Sequence, residues 1–256
     1  MTRESLVSEK ERQHTPMEFD LISLLLINLV VFLGSLLQGL IGYGVGMFCA
    51  PLLFLISPSL VPAPLILIST VLTIMMMARD KRHLQFDQVS WAMKGGFVGT
   101  VLAGLVLKVA TKDQFELFFG LLILTAVLIS LLGFKPKVTK RNNVIAGFTS
   151  GFMGTLTAVG GPPIALLYQH GAIKNIIANL TAFFLFLNVV AIITLASIGE
   201  ITLTTLKVVV IATPGVALGL YASTKAQGLV KAHLAQRWIL VLSTITAVIA
   251  IVRSFY

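Results

Sequence analysis

Two long apolar runs in this chain are each interrupted by a glycine-rich stretch that closes on proline. The first reads Gly39-Leu-Ile-Gly42-Tyr-Gly44-Val-Gly46-Met-Phe-Cys49-Ala-Pro51, and the second Gly151-Phe-Met-Gly154-Thr-Leu-Thr-Ala-Val-Gly160-Gly161-Pro162-Pro163. Gly39/Gly151, Gly42/Gly154 and Pro51/Pro163 share one offset, 151 − 39 = 112, so the two stretches superpose without a gap. Glycine and proline break helices. A backbone that leaves helical geometry inside hydrocarbon must be buried in protein or face a watery cavity, because its freed N–H and C=O groups find no water there. Broken helices in corresponding positions of two halves are the best sequence-level pointer to a transporter's binding site.

The hydrocarbon setting follows from composition: 57% of residues are hydrophobic and 11% charged, against roughly 45–50% and about 25% in ordinary soluble domains. Apolar stretches about 20 residues long, enough to cross a hydrocarbon core of roughly 30 Å, recur between residues 21 and 255. The chain therefore reads as an all-α polytopic membrane protein with no separate globular domain. A net charge of +9 would suit nucleic acid, but the basic residues fall in short loops between spans, where the positive-inside bias puts them. The expected partners are a small anionic substrate and the lipid bilayer, with no nucleic acid; a homo-oligomer is left open. Cys49 is the only cysteine, which removes an internal disulfide and a cysteine-based metal site, and no cofactor is expected. The first twenty residues mix both charge signs without a small-residue cleavage site, so no cleaved signal peptide is expected.

Along the chain, a polar tail (1–18) precedes a first half (19–133), a basic linker (134–142) and a second half (143–256). In the first half, residues 21–42 and 51–56 flank the break, and spans follow at 62–77, 91–109 and 115–132. In the second, 143–159 and 163–170 flank the break, followed by 176–198, 203–221 and 238–252. Gly95/Gly215 and Gly99/Gly219, at an offset of 120, continue the repeat. As helices, 143–159 reaches roughly 25 Å and 163–170 only about 12 Å, so a re-entrant hairpin is the simplest fit. Each half then crosses an odd net number of times, and the two repeats are inverted. Twelve basic residues, including Arg79, Lys81, Arg82, Lys94 and Lys140, fall on one side against seven on the other, which predicts a cytoplasmic first set and both termini outside. Trp91 and Trp238 fall at the cytoplasmic boundary, as interfacial anchors do.

Pro51 and Pro163 suit the first turn of the half-helix after each break, since proline has no N–H to waste there. A helix N-terminus carries about +0.5 of a charge and unpaired N–H donors, so two such ends meeting near mid-membrane would favour an anion. Gly44, Gly46, Gly160 and Gly161 would let backbone approach the ligand; Tyr43, Thr155 and Thr157 would add hydroxyls, and Gln38 and Asn188 amides from neighbouring turns or spans. Cys49 lies within the break and reads chiefly as a packed small residue, with contact to substrate as the alternative. No charged residue falls unmistakably in mid-span, so recognition is expected from dipoles and hydroxyls, with His170 held as a proton-coupling candidate. Gly44-Val-Gly46 lacks the third glycine and the strand context of a dinucleotide site. The Gly95/Gly99 and Gly215/Gly219 ridges read as helix-packing surfaces, Met75 to Met77 as packing filler or lipid-facing residues, and Asn179-Leu-Thr181 as an acceptor motif made inaccessible by its span.

At the two breaks, and in His83-Leu-Gln-Phe-Asp87 leading into Gly95-Gly-Phe-Val-Gly99 with its partner Gly215-Val-Ala-Leu-Gly219, the chain resembles the sulfite exporter TauE/SafE family of membrane transporters. The resemblance covers nearly everything beyond the first twenty residues. It implies a carrier of small sulfur-containing anions, such as sulfite, thiosulfate or sulfoacetate, in a bacterial cytoplasmic membrane. Leu156 and Ala158 stand where the first break has Gly44 and Gly46, so identical half-sites are not expected. The rival readings are an anion-selective channel and a non-transporting membrane scaffold; an enzyme is not expected, since the spans hold no carboxylate pair, metal cluster or Ser/His/Asp set.

Overall fold

A computed structural model of the protein describes residues 20–131, 136–169 and 172–226, with further helical residues at 240–241, 243–245, 247–249 and 251–252. The named elements are α1 (Leu21–Ile41), α2 (Val45–Ile56), α3 (Ala63–Asp80), α4 (Phe86–Val109), α5 (Lys112–Leu131), α6 (Lys140–Thr157), α7 (Gly161–Leu167), α8 (Ile173–Ser197) and α9 (Leu203–Ala226). Short 3-10 turns at Pro58–Leu60 and Lys81–His83 bracket α3, and no strand occurs among the described residues. Six segments are long and apolar enough to cross a membrane: Leu21–Ile41, Pro58–His83, Val89–Val109, Lys112–Leu131, Ile173–Ser197 and Leu203–Ala226. The all-α polytopic expectation holds. Trp238, His170 and part of the expected 238–252 span lie outside the described residues.

Local chemistry fixes several helix ends. The Asp20 carboxylate accepts the Ser23 N–H at 3.1 Å at the start of α1, and Thr139 Oγ1 accepts the Asn142 N–H at 3.2 Å at the start of α6, each satisfying a donor the helix leaves orphaned. Lys94 Nζ, on α4, stands 4.0 Å and Lys140 Nζ, on α6, 5.1 Å from the centre of the Trp91 ring on α4.

The main packings come in pairs that exchange with the halves. α1 lies along α9 and α6 lies along α4; α3 packs on α8, and each of these also contacts the glycine-ridged helix of the other half. The ridges explain the close approach. A Cβ on Gly95 would stand 2.0 Å from the Val144 carbonyl oxygen, and one on Gly219 would stand 2.3 Å from that of Phe32. Without a hydrophobic force between helices in lipid, such backbone-to-backbone contact supplies the packing attraction. Met76 is fully buried, confirming a packing role, and buried Asn179 accepts the Gln85 N–H at 2.8 Å inside the fold.

Two expectations about the breaks are corrected. The helix after the first break begins at Val45, so Pro51 lies inside α2 and not in its first turn. Lacking an N–H, Pro51 cannot bond the carbonyl of Met47 four residues back; the Ser243 hydroxyl donates to that carbonyl instead, at 2.7 Å. The breaks are also one helical turn out of register with their sequence match. Gly42 and Ala158 hold the left-handed caps (φ 85° and 60°) and Gly44 and Gly160 the following N-caps, so the structural offset is 160 − 44 = 116. Gly154 stays helical, and α6 runs on to Thr157, whose hydroxyl donates to the Met153 carbonyl (2.7 Å) and accepts the Val159 N–H (3.1 Å).

Candidate functional site

The two breaks meet. A Cβ on Gly46 would stand 1.8 Å from the Ala158 carbonyl oxygen, and one on Gly161 would stand 3.1 Å from the Tyr43 ring. The first α2 residues therefore lie against the end of α6, and the start of α7 lies against the first break. Between them is a cavity of about 40 Å³, with room for roughly three water molecules.

The first break supplies most of the donors. Gly44, at φ 134°, aims the chain into α2 in a conformation that a side chain would strain. The Val45 N–H is taken by Gln38 Oε1 at 3.0 Å. Since an N–H can pair only with the amide oxygen, the Gln38 NH₂ group faces away from that bond, and Gln38 lines the cavity. Gly46 and Met47, next in the first turn, have N–H groups with no partner inside the helix, and both line the cavity. The second break offers less, because Pro162 and Pro163 leave Gly161 as the one N–H among the first three residues of α7. The site is lopsided, in keeping with the departure noted in the sequence, and Gly46 and Gly160 are spent on closure: a Cβ on Gly160 would stand 2.4 Å from the Ser150 carbonyl oxygen.

α3 and α8 close the other side. Asn188 Nδ2 donates to Ser69 Oγ at 3.2 Å and lies 3.5 Å from Thr73 Oγ1. Ser69 and Asn188 both fall in the middle third of their helices. No charged residue lines the cavity among the described residues.

Of the residues singled out in the sequence, Gln38, Tyr43, Gly44, Gly46, Thr155, Gly160, Gly161 and Asn188 line this cavity. Cys49, Pro51, Thr157 and Pro163 do not. The buried Cys49 thiol donates to the Val30 carbonyl at 3.3 Å and fills the space left by Gly34 on α1. Thr157 is occupied in closing the second break, and Pro51 is packed within α2. The structure adds Ser69 and Ser150. Ser150 is fully buried on the cavity wall, and its hydroxyl finds no partner among the described residues. Its place one residue before the Gly151 motif was the available signal; Ser69 had none.

Partial positive charge, neutral donors and exclusion of carboxylates suit a compact anion. Comparison with protein families matches residues 27–250 to the family described as Sulfite exporter TauE/SafE. Searches of curated proteins and of solved structures each returned no match. With a match that runs through both breaks and the helices that enclose them, the chain belongs to the sulfite exporter TauE/SafE family of membrane transporters.

Proposed function

We propose that the protein is a secondary transporter that carries a small sulfur-containing anion, sulfite or an organosulfonate such as sulfoacetate, across a bacterial cytoplasmic membrane by alternating access. The observation that carries this reading is the shared, uncharged cavity at which two interrupted helices meet. Gly46, Met47 and Gly161 offer N–H donors to the oxyanion, Gln38 an NH₂ group and Thr155 and Ser150 hydroxyls. Tyr43 and Phe184 wall the site, and Asn188 and Ser69 hold its far side. A volume of about 40 Å³ suits sulfite better than a longer organosulfonate.

In the same proposal the halves are inverted repeats with both termini outside, and they rock about the cavity. The pairing of α1 with α9 and of α6 with α4 supports it, because each long arm of a break is carried on the other half. Relative motion of the halves would then move the two sides of the site together. No catalytic role is assigned.

The test is uptake of radiolabelled sulfite into proteoliposomes, with a thermal-shift series over sulfite, sulfate, thiosulfate, sulfoacetate, taurine and simple carboxylates. Saturable uptake, competed by whichever anion stabilises the protein, is expected. Flux that rises linearly with concentration at channel rates, or no stabilisation by any of these anions, would overturn the proposal.

A further inference from the structure

The wall of the break cavity holds a polar group that the fold leaves unused. A serine or threonine inside a helix can satisfy its hydroxyl by donating to the carbonyl four residues back, and on α6 Thr149 does so to Ile145 at 3.0 Å and Thr157 to Met153 at 2.7 Å. Ser150, on the same helix and fully buried, does not. The buried hydroxyls without a partner among the described residues are those of Ser35, Ser150 and Thr181, and of these only Ser150 lines the cavity. An unpaired buried hydroxyl is costly. An anion in the cavity relieves that cost.

The same space receives the start of α2, a helix of 12 residues, whose N-terminus carries about +0.5 of a charge and whose Gly46 and Met47 N–H groups have no partner within the helix. The Asn188 amide gives its NH₂ to Ser69, which leaves Oδ1 as a neutral acceptor on a lining residue. The elements around the cavity carry their charges at terminal turns: Arg79 and Asp80 pair at the end of α3, Lys140 and Arg141 open α6, and Lys174 lies in the first turn of α8. α1, α2 and α7 carry no charged residue. One negative charge is therefore the most that this wall offsets. A second would be buried without a countercharge, which costs far more than leaving it in water. A doubly charged oxyanion also has only acceptors to set against Asn188 Oδ1, whereas a protonated one has a donor.

We infer that the cavity selects its anion by charge: it takes hydrogensulfite, the singly charged protonated form of sulfite, with the Ser150 hydroxyl donating to one of its oxygens, and refuses doubly charged sulfite, sulfate and sulfoacetate. The inference rests on the transport reading and narrows it to one charge state. The second ionisation of sulfurous acid falls near neutral pH, so water supplies hydrogensulfite with no covalent step on the protein. That of sulfuric acid lies far to the acid side, so sulfate stays excluded. Each hydrogensulfite carried takes its proton with it.

The experiment is thermal unfolding of the purified full chain, titrated with sulfite at a series of pH values on either side of that ionisation and with chlorate in parallel. Chlorate is pyramidal like sulfite but singly charged throughout the series. Any titration of the protein, Tyr43 on the wall included, moves both anions, and the ratio of their midpoints reports the ionisation of sulfite alone. Above the ionisation the sulfite midpoint is expected to rise, relative to chlorate, by about tenfold for each pH unit. A ratio that stays constant or falls, or a failure of chlorate to stabilise the protein, would overturn the inference. Ser150→Ala without anion is expected to melt no lower than the wild type, because it deletes an unpaired hydroxyl, yet to need about tenfold more sulfite or beyond. An equal sulfite midpoint in variant and wild type would overturn it too; if the variant gives no cooperative transition, the wild-type pH series decides. Stabilisation by sulfite that does not weaken as pH rises sinks the charge selection and spares the transport reading, whereas no stabilisation at any pH sinks both.

Discussion

Replacing Gly46 with alanine tests the junction of the two breaks directly. The new Cβ would stand 1.8 Å from the Ala158 carbonyl oxygen, where real contacts do not fall below 3.0 Å, so the segments must part by more than 1 Å. The obstacle is backbone on both sides, which cannot swing away as a side-chain tip can. Overpacking of this kind costs about 1–3 kcal/mol, and at about 2–4 °C per kcal/mol for a chain of this size the melting temperature should fall by roughly 2–12 °C. The functional loss should be larger, because moving a positioned group by about 1 Å costs on the order of 10²-fold in enzymes; a fall in sulfite uptake of at least about tenfold is expected. Gly154→Ala is the control. It belongs to the same sequence motif, but its added Cβ meets nothing closer than Gly160 Cα at 3.4 Å, an ordinary contact, and alanine within a helix gains about 0.5–1 kcal/mol over glycine. A thiol-reactive fluorophore can follow both melts, since Cys49 is the only cysteine and is fully buried until the chain unfolds. If Gly46→Ala melts within about 1 °C of wild type and transports normally, the breaks do not meet as described.

Ser243→Ala should cost about 0.5–1.5 kcal/mol by orphaning the Met47 carbonyl, and the loss should shrink when Pro51→Ala restores a backbone donor; additive losses in the double-mutant melt would contradict this account. Arg79, in the last turn of α3, reaches back into the fold: Nη2 donates to the Gly39 carbonyl and Nη1 to Ser223 Oγ, each at 3.1 Å, while the guanidinium pairs with Asp80. Arg79→Ala should destabilise by about 1–3 kcal/mol, and Arg79→Lys should recover only part because an ammonium lacks the planar fork; equal melting of Arg79→Lys and wild type would refute the forked contact. Cys49→Ala should leave sulfite uptake within about twofold of wild type, since the thiol faces α1 and not the cavity; a loss of about tenfold or more, a ΔΔG near 1.4 kcal/mol, would return Cys49 to the site.

The extent of the sequence's reach shows at particular residues. Apolar length marked the spans, and small residues four apart marked the ridges at Gly95/Gly99 and Gly215/Gly219, because both properties are set within one helix and its immediate contacts. The glycine breaks were legible for the same reason, as were eight residues of the cavity wall. Pro51 was misplaced because whether proline starts a helix or sits inside it depends on who takes the carbonyl four residues back, and here that partner, Ser243, is 196 positions away. Ser69 carries no local mark at all and joins the site only because α3 packs on α8.

By itself, the sequence determined that the chain is a helical membrane protein with two interrupted segments, since the cost of unpaired backbone in hydrocarbon leaves few other uses for such runs. The tertiary structure decided where each interruption falls: matching glycines are 112 apart, but the turns are 116 apart, because Gly42 takes the left-handed cap while Gly154 remains helical and Ala158 turns the chain in its place. It also decided which wall residues face one another, because that depends on helices distant in the chain coming into contact.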